Sequence, residues 1–156
     1  EATKLPFQAP RRVTMLFTPD TVTLANGSTR EALAGVQDTA SQFVQMTWLF
    51  TTQPDLLRVG NQITLPLALP RRMDRWTYEV LDEERLYTPL GTLDTFHLKP
   101  RRADQRPRGE LSAEVWFAPS LQYLPVRIRI QQDADTFIDL MMDAAPLQAA
   151  PEGGSR

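Results

Sequence analysis

Apolar positions along this chain alternate with polar ones over most of its length, and switch to a three-and-four spacing only once. Val13 to Phe17 and Thr21 to Ala25 are rich in β-branched residues, with Thr18-Pro19-Asp20 as a turn between them. Asn26-Gly27 supplies a second turn, because both residues tolerate positive φ, and Thr29 to Leu33 is placed to pair back. From Asp38 to about Phe50 the period changes: Ala40, Phe43, Val44, Thr47 and Phe50 recur at helical intervals. Asp38 or Thr39 can cap the first amides, and Thr51, Thr52 and Pro54 disfavour continuation. Burying Phe43, Val44 and Phe50 would contribute about 1.5–3 kcal/mol each, enough to fix this helix onto a sheet. Period two then resumes, predicting strands at Gln62–Leu69, Trp76–Leu81, Arg85–Thr88 and Thr92–Lys99. Pro100 to Gly109, dense in arginine and proline, reads as a loop before strands at Glu110–Phe117, Leu124–Gln131 and Thr136–Asp143.

The last three strands can be registered by parity. Setting Val115 opposite Val126, Ala113 opposite Ile128 and Leu111 opposite Ile130 makes one face wholly apolar and brings Glu114 opposite Arg127. In the following hairpin a loop of Asp133-Ala134-Asp135 sets Ile130 opposite Ile138, Ile128 opposite Leu140 and Arg129 opposite Asp139. Both hairpins then share an apolar face. Exposed cross-strand pairs are worth only about 0.2–1 kcal/mol each, so the charges serve register more than stability.

A chain of 156 residues is normally one domain with a continuous core; residues 1–147 are read as that domain and 148–156 as a flexible tail. Lys and Arg total 17 against 19 Asp and Glu, for a formal charge of −2, so no global field draws it onto nucleic acid. There are no cysteines, which removes disulfides, thiol nucleophiles and cysteine-ligated metals. No apolar run approaches the ~18 residues of a membrane-spanning helix.

Chemistry-bearing residues are sparse. His97 is the single histidine, and alternation turns Asp94 to the opposite face, so a structural or surface role is expected for it. Asp82-Glu83-Glu84 stands at a strand end, where a solvated turn is the default. Asp133 and Asp135 form a fragment of a calcium loop without its glycine or closing glutamate. No catalytic residue, metal ligand set or cofactor motif is expected. The arginine pairs Arg11-Arg12, Arg71-Arg72 and Arg101-Arg102 read as solubilising charge at strand and loop ends. Trp76 and Tyr78 share one face of their strand, as Glu114 and Trp116 do on theirs. If those faces line a concavity, Trp76, Tyr78 and Trp116 are the candidate ligand-binding residues, with Arg72 and Arg127 supporting an anionic group.

Three segments in order carry a family resemblance: Gln37-Asp38-Thr39-Ala40-Ser41-Gln42, Tyr87-Thr88-Pro89-Leu90-Gly91, and Trp116-Phe117-Ala118-Pro119 with Tyr123-Leu124-Pro125-Val126-Arg127-Ile128. From about Leu33 to Leu147 the chain resembles the C-terminal part of the proteobacterial domain of unknown function 3108 family. The resemblance implies an exported or envelope protein made with a leader, with no established activity, and a family domain with further strands at its N-terminus. The expected fold is α+β: a strongly curved antiparallel sheet, a partial or flattened barrel, with the helix on its concave face. The expected function is a non-enzymatic periplasmic or envelope protein that binds an apolar or amphipathic ligand, such as a lipid, or a partner protein in that concavity. Two alternatives remain: a hydrolase acting on an envelope polymer through His97 or paired carboxylates, and a structural adaptor that pairs through edge strands.

Overall fold

A computed structural model describes residues 13–101, 112–131 and 136–146. Among the described residues the chain is mostly antiparallel sheet with one α-helix, and neither sheet closes on itself. Residue contacts group it into two compact units, each discontinuous in sequence: residues 1–42 with 65–75, and residues 43–64 with 76–156. The proposed tail, the loop before residue 112 and the Asp133-Ala134-Asp135 fragment lie outside the described residues.

The first unit holds a small three-stranded meander of β1 (Leu16–Phe17), β2 (Thr21–Thr23) and β3 (Thr29–Glu31). Its turns are those the sequence marks. Thr18 Oγ1 accepts from the Thr21 amide, and Asn26 Oδ1 accepts from the Ser28 amide, beside Gly27 at φ +82°. Val22, Leu24 and Ala68 form its buried core, with Met15, Ala32, Val36 and Met73 packed around them.

The helix α1 spans Ser41–Thr52. Asp38 starts it, with Oδ1 accepting from the Ala40 and Ser41 amides and Oδ2 from the Ser41 hydroxyl. Partial burial opposes ionisation of Asp38, but these bonds outweigh it and hold the carboxyl below its ordinary value. The buried stripe is Gln42, Met46 and Phe50, one residue every turn. Val44 is thus not a core residue: it is 73% exposed, and Trp48 one turn later is 62% exposed. Phe50 meets Phe117 edge-on, with ring centroids 5.0 Å apart.

The larger sheet runs in the order β4-β5-β6-β7-β8-β9, with β4 (Gln62–Ala68), β5 (Met73–Thr88), β6 (Gly91–Pro100), β7 (Ser112–Ala118), β8 (Leu124–Gln131) and β9 (Phe137–Met141). Two expected strands, Trp76–Leu81 and Arg85–Thr88, are one. The Asp82-Glu83-Glu84 segment is consequently strand, not turn. The device is a β-bulge: Val80 pairs with Leu98 and Asp82 with His97, which leaves Leu81 as the extra residue. Side-chain parity flips there. Trp76, Tyr78 and Val80 face the core with Leu98 and Val115, while Asp82, Glu84 and Leu86 turn to the other face with His97, Thr95 and Leu93.

The final hairpin carries the expected register, Ile130 opposite Ile138, Ile128 opposite Leu140 and Arg129 opposite Asp139. The preceding one is displaced by two residues. Val115 pairs with Ile128, Ala113 with Ile130 and Trp116 with Arg127, so Glu114 faces Arg129 rather than Arg127. Two features cause the displacement. Gln122 and Tyr123 adopt left-handed φ of 56° and 57° in the connection, and a second bulge lets Trp116 pair with Arg127 while Phe117 pairs with Pro125. An even displacement preserves parity, so the face assignment survives although the partners change.

Candidate functional site

Opposite the core face, neighbouring strands set His97, Trp116 and Arg127 side by side, each the register partner of the next. The imidazole lies parallel to the indole at 4.2 Å between centroids and 2° between planes, and the Arg127 guanidinium carbon stands 4.7 Å from the indole centroid. Strands adjacent on either side of β7 thus sandwich one tryptophan between a histidine and a cation. The column is anchored at its far end by Arg127, which donates from Nε to Asp139 Oδ1 at 2.9 Å and from Nη2 to Oδ2 at 2.6 Å.

Carboxylates ring the other end. His97 Nε2 lies 2.9 Å from Glu114 Oε2, and Nδ1 lies 3.5 Å from Asp82 Oδ1. Lys99 Nζ reaches Glu114 Oε1 at 3.1 Å. Trp116 donates its indole N–H to Glu84 Oε2 at 2.6 Å, which satisfies the one polar atom of a nearly buried ring. Leu86, Ala118 and Val126 pack beneath, with Leu93, Leu121 and Met142 around them. Partial burial works against the Glu114 anion, yet the bonds and charges of Lys99 and His97 outweigh it, so its carboxyl sits below the ordinary value.

Asp139 is likewise depressed, first by the Arg127 hydrogen bonds, against a smaller opposing effect of burial. Asp38 and Asp139 are therefore groups whose protons are bound more weakly in the folded than in the unfolded chain. Their stabilisation is complete above the ordinary carboxylate range, near pH 4, and is lost as pH falls through the lower folded values. Urea midpoints should be flat from pH 7 to about 5 and decline below that. The decline should be shallower in Asp139→Asn; an identical acid limb in that variant would count against the assignment.

The residues expected to line one concavity are not brought together. Trp76 and Tyr78 are 3% and 0% exposed and belong to the core face, whereas Trp116 is on the opposite face. Alternation pairs Trp76 with Tyr78 and Glu114 with Trp116 within each strand, and carries no information on how one strand's faces match another's. Arg72 lies in the first unit beside Asp74. Arg127 does meet Trp116, as a stacking partner. A depression of about 350 Å³ is lined by Glu83, Thr92 to Phe96, Pro119 and Ser120, and includes none of those five residues. Asp94 points away from His97, as alternation requires, and binds Arg85 at 2.8 Å. The acids beside His97 instead come from both neighbouring strands. Only the Glu114–Trp116 alternation hinted at them, since the bulge hides Asp82 and Glu84.

The fold and this face define an α+β protein with an open antiparallel sheet, one side packing Tyr78, Val80, Leu98 and Val115 and the other carrying a charged aromatic column over a second buried cluster. Within that class, the chain belongs to the family described as Protein of unknown function (DUF3108), which it matches over residues 7–143. The match begins well before Leu33, the start of the resemblance carried by the sequence motifs. No curated protein and no solved structure matches the chain.

Proposed function

We propose that this chain is a non-enzymatic module of the bacterial cell envelope that holds an extended segment of a partner protein along the outer edge of β9. The observation that carries the reading is β9 itself. It is the last strand of the sheet, and its Phe137, Ile138, Leu140 and Met141 are between 40% and 52% exposed, with side chains on both faces. An edge strand is ordinarily guarded by charge. Here the single charge of β9, Asp139, is tied up by Arg127, so the edge offers backbone groups flanked by apolar side chains. Strand addition uses this combination, with the ladder supplying affinity and alternate side chains supplying selectivity. A second copy of the chain fits less well, because antiparallel self-pairing centred on β9 would set Asp139 against Asp139.

The envelope location rests on the family resemblance, and the curved sheet expected from the sequence would hold this edge at its rim. A ligand in a concavity lined by Trp76 and Tyr78 is weakened by their burial. The hydrolase reading gains the acids around His97, but Nε2 is engaged by Glu114 and Nδ1 faces the Asp82 carboxylate at 3.5 Å, so both nitrogens are directed at acids of the chain itself.

The chain has no cysteine, so Ile138→Cys provides a unique attachment point for a photo-crosslinker. Crosslinking in the periplasm should yield one adduct whose partner peptide, identified by mass spectrometry, is an extended apolar–polar segment. Adding Leu140→Lys should lower the yield at least tenfold while moving stability by no more than about 0.5 kcal/mol, since Leu140 is exposed. Adducts only to lipid would favour the amphiphile reading, and adducts only to a second copy would make the protein a self-assembling adaptor. Equal yields with and without Leu140→Lys would sink the edge.

A further inference from the structure

We propose that Asp82, Glu84 and His97 form a binding site for a divalent transition cation of the zinc type. One oxygen from each carboxylate and one imidazole nitrogen lie within 4.8 Å of one another. The bulge at Leu81 makes this possible, by turning two residues of β5 spaced two apart toward the partner of Asp82 on β6.

Nitrogen accounting singles out Nδ1 as the ligand atom. Glu114 takes Nε2 at 2.9 Å, which favours the tautomer with its proton on Nε2 and a lone pair on Nδ1. A carboxylate behind a histidine is the usual outer shell of a metal-bound imidazole, where it fixes orientation and raises basicity. On the other side, Nδ1 and Asp82 Oδ1 are 3.5 Å apart, long for a hydrogen bond. Two ligands about 2.0–2.2 Å from a tetrahedral ion stand about 3.4 Å apart, so the separation suits a shared cation. Glu84 has an outer shell too. Its Oε2 accepts the Trp116 indole N–H, leaving Oε1 to coordinate. Stacking on Trp116 holds the imidazole plane.

An imidazole with two carboxylates selects zinc-type ions over magnesium and calcium, which prefer all-oxygen shells. Three protein ligands leave at least one position for water. This site lies on the sheet face opposite Tyr78, Val80 and Leu98, on strands other than β9.

The test uses the whole chain, stripped with chelator and labelled at its single histidine. One equivalent of Zn²⁺ should shift the Nδ1 resonance of His97 while Nε2 keeps its proton, and equimolar Mg²⁺ should shift neither. Competition titration should show one site, weakened at least tenfold by Asp82→Asn and about tenfold or more by Glu114→Gln, which touches only the outer shell. Asp82 has a 61% exposed side chain, so that variant should fold even if changes at Glu84 do not. Zinc binding that leaves His97 unmoved, or that survives Asp82→Asn unchanged, would overturn the proposal, as would an equal shift with Mg²⁺.

Discussion

Trp116→Ala should destabilise the protein by about 3–5 kcal/mol, the range for removing a buried aromatic side chain. Three losses combine in this one substitution. The indole is 4% exposed over Leu86, Ala118 and Val126, so its removal leaves a cavity that a sheet cannot easily close. Glu84 loses the N–H that satisfies Oε2, and His97 and Arg127 lose the ring between them. Trp116→Phe separates these terms. It keeps an aromatic surface but no donor, and should cost about 1–3 kcal/mol through the unsatisfied carboxylate and the smaller ring. Both values follow from urea unfolding monitored by far-ultraviolet circular dichroism, which does not depend on the lost chromophore. A loss below about 1 kcal/mol for Trp116→Ala would mean that the column is a surface ornament and not part of the fold.

The same residue shows what could and could not be read from the sequence. Alternation placed Glu114 and Trp116 on one face correctly, and strand β8 appears at its expected bounds, Leu124–Gln131. Period alone suffices for such statements, because a pleated strand sends successive side chains to opposite sides. Matching the faces of different strands needs the register, and here register is altered by two bulges that have no signature in composition. Val80-Leu81 does break the apolar–polar alternation, with two apolar residues in succession, but such a break fits the end of a strand as well as a bulge within one. Once parity changes there, a run of acids that resembles a solvated turn becomes the wall of the His97 site, and Trp76 and Tyr78 become core residues. The β9 edge was legible in a weaker sense. Parity gives its pairing with β8, but whether anything covers its apolar side chains is a property of the whole fold and not of the strand.

The helix supplies the second large effect, and a contrast within one element. Phe50→Ala should cost about 3–5 kcal/mol, because Phe50 is 0% exposed and packs edge-on against Phe117. Val44→Ala, by contrast, should change stability by no more than about 0.5 kcal/mol. Both residues belong to the apolar pattern that marks the helix, and pattern alone assigns both to the core. The difference lies in the stripe: Gln42, Met46 and Phe50 follow one another at intervals of four along the buried line, and Val44 lies two residues off it, with Trp48 on the same exposed side. A buried glutamine is what misled the pattern. Gln42 occupies a core position that polarity argues against, and its side-chain amide is satisfied by the Thr39 carbonyl at 2.7 Å. The helical phase therefore rotates away from Val44 to accommodate a polar residue that has a partner. Chemical unfolding of the two variants decides the matter. Equal losses would return Val44 to the core, and a small loss for Phe50→Ala would remove the helix–sheet contact from the account of what holds this sheet's apolar face.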